Sequence, residues 1–249
     1  MIQVFISGCN GKMGQEVASQ IWHLDAFNCI AGFDRTDLGD NKFPVYTDLS
    51  KVTEKPDIII DFSIPEATFK VLDYASKNNI PVVIATTGFT GEEMAKIVEY
   101  SKTIPIFKAA NMSFDINLMG KLVSDIAKLI PESDIEIVET HHNRKIDAPS
   151  GTALFLADSI NEALGGDMKY EYNRHDKREK RTKKEIGIHS IRGGNVVGSH
   201  SVLFFSDDEY IEITHNVTSR SVFAKGAIKA AEFLVHKAPG MYNMNDLLK

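Results

Sequence analysis

The chain has few cysteines, no long hydrophobic run and no excess of positive charge, and each of these absences argues against a class of protein. Its two cysteines, Cys9 and Cys29, lack the spacing of a metal site. No apolar segment reaches the roughly 18 residues that a membrane helix needs. The 28 Lys and Arg against 34 Asp and Glu give a net charge of −6, which disfavours a nucleic-acid binder. The N-terminus has no basic flank or apolar signal core, so we expect a cytoplasmic protein.

A disulfide between the two cysteines is not expected either. Cys9 follows the first predicted strand and Cys29 lies at the start of the second, which are opposite ends of a parallel pair. A chain of 249 residues that is 43% hydrophobic can bury a sizeable core without such a link.

Apolar segments alternate with helical patterns along the first half of the chain. The segments are apolar on both faces, as in the buried strands of a parallel sheet, and helical stretches separate them. The predicted strands are Ile2–Ser7, Cys29–Phe33, Asp57–Phe62, Pro81–Ala85 and Ile104–Lys108, and the predicted helices are Gln15–Leu24, Pro65–Asn78 and Gly91–Thr103. This order predicts an α/β fold with a doubly wound parallel sheet.

The pattern changes after Asn111. A helical segment is followed by alternating strands, and a last helix contains small residues suited to close packing. The predicted elements are helix Ile116–Leu129, strands Ile135–Thr140, Ile186–Ile191, Ser201–Phe205 and Tyr210–His215, and helix Val222–Leu234. We expect residues 113–218 to form an inserted α+β domain and residues 1–112 with 219–249 to form the other. The basic run Arg174–Lys184 is either a solvated loop or a flap that brings positive charge to an anionic ligand.

A glycine-rich turn follows the first predicted strand and opens the first helix. Its spacing is GxxGxxG over Gly8–Gly14, so it is a weak signal alone, since such a turn is also common without a ligand. Asp34 lies twenty residues after Gly14 at the end of the second strand, where an acid commonly binds the adenosine ribose. Arg35 is suited to pair with a 2′-phosphate. These residues together predict a Rossmann-type site for NADPH, NADH or both.

Two later loops follow strands of the same predicted sheet. One is Ala85-Thr86-Thr87-Gly88 and the other is Ala109-Ala110-Asn111-Met112. Each is either an ordinary turn or part of the nucleotide site, and ligands of open α/β sheets bind beyond the carboxyl ends of the strands. We therefore include both loops in the predicted cofactor site.

The most specific cluster lies in the second half. His141, His142, Arg144 and Lys145 fall within five residues, and Ser150-Gly151-Thr152 then opens a predicted helix. Cationic side chains beside the N–H groups of a helix N-terminus suit a small anion with several charges.

Strand alternation predicts different roles for the two histidines. If the strand from Ile135 continues, His141 lies on the side of Lys145 and His142 turns away. We therefore predict His141 and Lys145 as acid groups and His142 as a binding residue, unless a turn follows Thr140. Ser150 has the character of an N-cap, which also explains it without any ligand.

Motifs along nearly the whole chain are similar to one known family. They are GCNGKMG, DFSIPEA, TTGF, AANMS, ETHHNRKIDAPSGTAL, EIGIHSIRGGNVVGSH, EITHNVTSR and PGMYNMNDLL. The chain resembles the dihydrodipicolinate reductase family of the diaminopimelate and lysine pathway, and HHNRKIDAPSGTA is its most specific element. The resemblance implies reduction of 4-hydroxy-tetrahydrodipicolinate, a cyclic dicarboxylate, to tetrahydrodipicolinate with NADPH or NADH and release of water. It also implies a homotetramer formed through the sheet of the second domain, and a final helix that returns to the first.

The resemblance assigns roles by position. His141 would be the proton donor and acceptor and Lys145 a proton donor. The substrate set is His142, Gly151 and Thr152, to which the residue argument adds Arg144 and Ser150. The cofactor set is Gly8, Cys9, Asn10, Gly11, Lys12, Met13, Asp34, Arg35, Ala85, Thr86, Thr87, Ala109, Ala110, Asn111 and Met112. No metal is implied.

Some residues depart from the family pattern. Ala85 and Asp115 stand where glycine is usual, and Met112 replaces a frequent phenylalanine. Lys177–Lys184 is unusually basic and lacks a glycine. Two other functions remain open from sequence: a related imine or amino-acid dehydrogenase, and a noncatalytic dinucleotide-sensing module.

Overall fold

Two compact units make up the chain. A computed structural model describes all residues, Met1–Lys249. The first unit joins Met1–Ser113 to Ser221–Lys249, and the second is Phe114–Arg220. No helix is both long enough and apolar enough to cross a membrane.

A seven-stranded parallel sheet forms the first unit. Its order is β12-β6-β5-β4-β1-β2-β3, so the chain reverses direction across the sheet between β1 and β4. The strands are β1 (Ile2–Ser7), β2 (Phe27–Phe33), β3 (Val45–Tyr46), β4 (Ile58–Asp61), β5 (Val82–Ile84), β6 (Pro105–Lys108) and β12 (Gly240–Tyr242). The helices are α1 (Lys12–Ile21), α2 (Pro65–Asn78), α3 (Gly91–Ser101), α6 (Ser221–Leu234) and α7 (Met244–Leu247), with a short 3-10 turn at Leu49–Lys51.

Alternate residues of each central strand enter two different cores. Val4 and Ile6 pack with α1 and α6, whereas Phe5 packs with α2 and α3 on the opposite face. Since both faces are buried, these strands are continuously apolar rather than alternating. The prediction of a doubly wound parallel sheet of the Rossmann type is confirmed.

The second unit is built on a mixed sheet of order β11-β10-β7-β9-β8. β10 is antiparallel to β7 and β11, whereas β9 is parallel to β7 and β8. The elements are α4 (Phe114–Leu129), β7 (Asp134–His141), α5 (Gly151–Ala163), β8 (Lys169–Glu171), β9 (Glu185–Arg192), β10 (Gly198–Phe205) and β11 (Tyr210–Val217). The inward residues of the sheet form one core with α4 and α5. This is the predicted α+β second domain.

Several elements differ from the sequence expectation. Helix α1 begins at Lys12 and ends at Ile21, not over Gln15–Leu24. β3, β8, β12 and α7 were not predicted, because segments of two to four residues are too short to show a period. β2 begins at Phe27, so Cys29 lies opposite Val4 within the strand and not at its start. Both cysteines are free, and both are buried.

Candidate functional site

The glycine turn of the first unit lies at the point where the strand order reverses. Gly8 has a φ of +75°, and a Cβ there would lie 2.5 Å from the carbonyl oxygen of Phe62. A Cβ on Gly14 would lie 2.2 Å from the carbonyl oxygen of Gly8. Both positions therefore require glycine, one for its backbone conformation and one for the close approach of α1 to the turn.

A pocket of about 470 Å³ opens at this reversal. The ends of β1, β2 and β4 and the first turn of α2 form its walls, as expected for a nucleotide crevice in an open α/β sheet. Its lining is Gly8, Asn10, Gly11, Phe33, Asp34, Arg35, Phe62, Ser63, Ile64, Glu66, Ala67 and Lys70.

Asp34 connects the glycine turn to the end of β2 through hydrogen bonds. Its Oδ2 accepts a hydrogen bond from the backbone N–H of Asn10 at 2.9 Å, and its Oδ1 accepts one from the N–H of Arg35 at 2.7 Å. Each carboxylate oxygen has a further lone pair that can accept from a ribose hydroxyl. Arg35 is exposed beside it, so its guanidinium can reach a 2′-phosphate.

The start of α1 fits a pyrophosphate. Its N-cap is Gly11, and no side chain caps the first turn, which begins at Lys12 and Met13. The N–H groups at an uncapped helix N-terminus attract an anion through both hydrogen bonding and the helix dipole. The residues present therefore fit a dinucleotide.

Cys9 does not contribute its side chain to this pocket. It is fully buried beneath the turn, where its Sγ lies 2.7 Å from the point that a Cβ on Gly32 would occupy. Burial, followed by the nearby charge of Asp34, raises the pKa of the Cys9 thiol to about 12. Its predicted place in the cofactor site is therefore limited to the backbone.

The loop after β5 is tied to a buried carboxylate that the sequence analysis missed. Thr86 Oγ1 donates to Asp61 Oδ2 at 2.9 Å and accepts from the N–H of Ser63 at 3.0 Å. Thr68 Oγ1 also donates to Asp61 Oδ2, at 2.6 Å. Burial raises the pKa of Asp61, although these hydroxyl groups oppose the rise. Of the neighbouring residues, Ala85 is half-buried and Thr87 is exposed.

The loop after β6 differs along its length. Ala110 is exposed and Ala109 and Asn111 are half-buried, whereas Met112 belongs to the core beneath α6. The carbonyl oxygen of Met112 lies only 1.6 Å from the point that a Cβ on Gly226 would occupy. The backbone of this loop is thus fixed against α6, and the Met112 side chain packs inward.

In the second unit, His141 ends strand β7 and pairs with a buried carboxylate. Its Nδ1 lies 2.6 Å from Glu139 Oε2, and both side chains are nearly or fully buried. Arg192 binds the same carboxylate with two donors, at 2.7 and 2.9 Å. Burial alone would raise the pKa of Glu139, but hydrogen bonds from Arg192, Ser190 and His141 lower it to about 2. Glu139 is therefore ionised.

A second buried histidine borders this pair. The ring of His200 contacts that of His141 edge to face, with 5.1 Å between their centroids, and its Nε2 lies 2.9 Å from Ser150 Oγ. Burial, followed by the charge of His141, lowers the pKa of His200 to about 4, so it is neutral near pH 7. Its Nδ1 is buried without a hydrogen-bond partner.

Lys145 does not lie on a continuation of β7, so the argument from strand alternation was wrong. The strand ends at His141, and the N–H of Lys145 donates to the carbonyl oxygen of His142 at 3.1 Å, which closes a turn. Lys145 Nζ donates to both oxygens of Asp147, at 2.8 and 2.9 Å. Arg144 is exposed and donates to Asn195 Oδ1 at 3.0 Å.

The start of α5 is fixed to the same buried carboxylate. Ser150 is the N-cap, since its Oγ accepts from the N–H of Ala153 at 3.1 Å, while its own N–H donates to Glu139 Oε1 at 3.2 Å. A Cβ on Gly151 would meet no atom within 4 Å, so the space beside this residue is free of neighbouring atoms. The helix N-terminus and His141 are thus joined through Glu139. His142 is half-buried, and burial followed by the charge of Arg144 lowers its pKa.

The basic run is largely neutralised by acids of the second unit. Arg174 pairs with Glu185, Lys177 with Glu171, and Lys184 with Asp167. Arg181 and Lys183 both approach Asp134, at 3.4 and 3.1 Å. This pairing favours the solvated loop over an anion-binding flap.

Sequence reasoning missed Glu139, Arg192 and His200, although a signal for two of them was present. Ile135 and Ile137 face the core from β7, and Glu139 and His141 occupy the next alternate positions on the same face. His200 likewise continues the phase of Val202 and Phe204 on β10. A charged or titratable residue at a strand position that faces the core needs a hydrogen-bond partner, so such positions mark candidate sites.

The fold and these clusters define a two-unit nicotinamide-dependent oxidoreductase, with a Rossmann-type sheet in one unit and a histidine paired with a buried, ionised glutamate in the other. The chain belongs to the dihydrodipicolinate reductase family. The family's N-terminal region, "Dihydrodipicolinate reductase, N-terminus", matches residues 2–112, and "Dihydrodipicolinate reductase, C-terminus" matches residues 115–248. The predictions of family, enzyme class and a nicotinamide cofactor, NADPH or NADH, are confirmed.

Relatives match along the full length. The chain is 50% identical over 249 residues to a 4-hydroxy-tetrahydrodipicolinate reductase of Caldanaerobacter subterraneus subsp. tengcongensis, covering 100% of this chain and 99% of the relative. It is 43% identical to that of Clostridium novyi, with the same coverage. A solved structure, dipicolinate-bound dihydrodipicolinate reductase from Paenisporosarcina sp. TG-14, has a TM-score of 0.83 and 29% identity, covering 98% of this chain and 99% of that one.

Proposed function

We propose that this chain reduces 4-hydroxy-tetrahydrodipicolinate to tetrahydrodipicolinate in the synthesis of diaminopimelate and lysine. The ring loses its hydroxyl group and one proton, which leave as water, and it gains a hydride and a proton, so that hydrogen replaces the hydroxyl group overall. The observation that carries the proposal is the buried Glu139–His141 pair beside the N-terminus of α5, within a chain related to such reductases along its whole length.

The substrate's two carboxylates explain the cationic segment. Lys145, with Arg144, would neutralise one carboxylate and exchange its contact with Asp147 for the ligand. The first turn of α5 at Ser150, Gly151 and Thr152 would hold the other, since a helix N-terminus favours a negative charge. His142 would complete the binding set as a neutral ring. These contacts orient the ring and stabilise negative charge that develops on it.

His141 and Lys145 would manage the protons. His141 is held by Glu139, so it is suited to donate and accept a proton at its remaining nitrogen. Lys145 follows in the same segment, and its ammonium, unlike the guanidinium of Arg144, can supply a proton to the departing hydroxyl group. The nicotinamide cofactor supplies the hydride when bound.

The cofactor would be held by the first unit. The start of α1 at Gly11, Lys12 and Met13 would bind the pyrophosphate, and Asp34 the adenosine ribose. Arg35 would bind a 2′-phosphate, so we expect both NADH and NADPH to act as the hydride donor. The loops at 85–87 and 109–112 would line the remainder of the site.

We also propose a homotetramer formed through the sheet of the second unit. Leu203 and Phe205 alternate with core residues of β10 and so lie on the opposite face, and Ile191 and Tyr210 are 50% and 57% exposed. Sedimentation should give four times the mass of one chain, whereas a monomer at working concentrations contradicts this. The cytoplasmic location stays a prediction.

A reductase assay tests the proposed activity. The purified chain is mixed with freshly generated 4-hydroxy-tetrahydrodipicolinate and either NADPH or NADH, and cofactor oxidation is followed by absorbance. We expect oxidation that depends on both substrate and enzyme. Cofactor binding without oxidation would instead favour a noncatalytic dinucleotide-sensing module, and oxidation only with other imines would favour a related dehydrogenase.

A further inference from the structure

The carboxylate beside His141 has a specific task. We infer that Glu139 is a positioning residue, which fixes the ring of His141 so that Nδ1 is bound to the protein and Nε2 is left for proton transfer. The inference rests on the proposed role of His141 in the reaction. It concerns how that role is built, and Glu139 itself need not touch the substrate.

The sheet register brings the participating groups together. Glu139 and His141 lie two residues apart on β7 and so share one face. His200 of β10 pairs across from Glu139, and Arg192 of β9 pairs across from His141. This face carries the hydrophobic core further along the strands, so the polar groups lie where the core meets the ends of the strands.

The state of Glu139 determines which ring nitrogen carries the proton. Its carboxylate is held ionised by Arg192 and can only accept hydrogen bonds. At a distance of 2.6 Å, Nδ1 of His141 must therefore be the donor. The neutral ring then has its lone pair at Nε2, and the protonated ring has a transferable proton there.

A glycine leaves room at this second nitrogen. A Cβ on Gly198 would lie 3.1 Å from Nε2 of His141, closer than such contacts normally are. On another side, the ring of His200 packs edge to face against His141. A flipped ring would place carbon against the carboxylate and lose the 2.6 Å contact, so one orientation is preferred.

Glu139 also has little freedom of its own. Arg192 binds both of its oxygens, and the N–H of Ser150 donates to Oε1 at 3.2 Å. Arg192 in addition donates to the carbonyl oxygen of Asp147 at 2.8 Å. Hydrogen bonds thus connect the Glu139 carboxylate to His141, to the start of α5 and, through Arg192, to the loop that contains Lys145. The orientation of the His141 ring is therefore set before a substrate binds.

The variant Glu139→Gln tests the inference, because it keeps the shape and removes the charge. We expect kcat to fall by at least about tenfold, with the KM for substrate and for NADPH changed by less than about threefold. In a protein labelled with 15N-histidine, the His141 signals, assigned with His141→Ala, should show a proton on Nδ1 in the wild type and a mixture of tautomers in the variant.

Glu136→Gln is a matched control. Glu136 lies on the same strand and also pairs with a histidine and an arginine, since Nε2 of His189 is 2.7 Å away and Nη1 of Arg181 is 3.6 Å away. It lies outside the candidate site, so its kcat and the His141 signals should stay as in the wild type. Any general effect of removing a Glu–His pair from β7 would appear in both variants.

Gly198→Ala supplies a second test that keeps Glu139. It should crowd Nε2 and lower kcat while leaving the proton on Nδ1. A proton on Nε2 in the wild type, or a Glu139→Gln variant with wild-type kcat or unchanged His141 signals, overturns the inference. If His141→Ala keeps full turnover, the proposed role of His141 fails as well, which separates the two failures.

Discussion

Lys145 is half-buried, and its bidentate contact is with the exposed carboxylate of Asp147, so we expect its substitution to change the stability of the protein little. Its side chain is 20% exposed and that of Asp147 is 61% exposed, so their pairing contributes little to folding. A loss of function on its substitution would therefore report on chemistry at the site. The same reasoning applies to Arg35, which is exposed beside the nucleotide pocket.

Lys145→Ala should lower turnover by about 100-fold or more, because it removes both a carboxylate contact and a proton donor. NADPH binding, measured by fluorescence titration, should stay within about twofold of the wild type because the cofactor site lies in the first unit. Lys121→Ala, which removes an exposed lysine from α4, is the control. Unchanged turnover in Lys145→Ala would remove the role assigned to this residue.

Arg35→Ala should weaken the use of NADPH selectively. A guanidinium bound to a phosphate contributes about 1.5–3 kcal/mol, so kcat/KM with NADPH should fall by about tenfold or more. With NADH, kcat/KM should change little, since Asp34 remains to bind the ribose. For Arg35→Lys, which keeps the charge, kcat/KM with NADPH should lie between the values of the wild type and Arg35→Ala. An equal loss with both cofactors would argue against a 2′-phosphate contact.

At the scale of elements, α6 shows how a helix with small residues fixes a loop. Ala224, Ala227 and Ala231 are fully buried against the sheet and α1. Gly226 lets the helix backbone approach the carbonyl oxygen of Met112, which ends the loop after β6. The close approach therefore supports the predicted cofactor loop from beneath.

Gly226→Ala should destabilise the first unit by about 3 kcal/mol, because its Cβ would lie 1.6 Å from backbone that cannot move without shifting β6 or α6. Gly91→Ala at the start of α3 meets nothing within 4 Å and should be neutral or slightly stabilising. Chemical denaturation of both variants gives the free energies of unfolding. Equal stability of Gly226→Ala and the wild type would contradict this account.

The elements also show why some predictions succeeded. α2 was predicted with its observed bounds, because Pro65 opens it and Asn79 follows in the left-handed conformation. β12 and β3 were not predicted, because they are short edge strands that are recognised only by their pairing with β6 and β2. The assumption that β7 continues to Lys145 was wrong, because the turn after His141 depends on a hydrogen bond that no periodicity reveals.

For the whole molecule, the buried groups of the second unit predict how its stability varies with pH. The pKa of His200 is about 4 in the folded state, below its ordinary value of 6.5. Between these values the unfolded chain binds more protons, so stability is complete above about pH 6.5 and falls as the pH decreases towards 4. Glu139, whose pKa is about 2, begins to contribute in the same direction only below its ordinary 4.5.

His200 should therefore account for a loss of about 2 kcal/mol between pH 7.5 and pH 5. His200→Gln should be less stable at pH 7.5 but should lose less on acidification, as measured by denaturant unfolding at both pH values. His142 adds to the wild-type loss, since its pKa is also lowered. His23→Gln, at an exposed position, should keep the wild-type dependence. An identical dependence in His200→Gln would show that this ring is not the cause.

The sequence by itself determined the parallel sheet, the glycine turn with Asp34, and the family, because apolar periods and contiguous motifs are local in the chain. Only the tertiary structure decided which groups complete the site. Arg192 lies 53 residues from Glu139, and the register of β9 on β7 brings them within hydrogen-bond distance. His200 lies 50 residues from Ser150, and the packing of the start of α5 against β10 brings these two together. A buried charge is tolerated only when paired, so the sequence shows that Glu139 needs a partner, and only the folded sheet shows which partner it has.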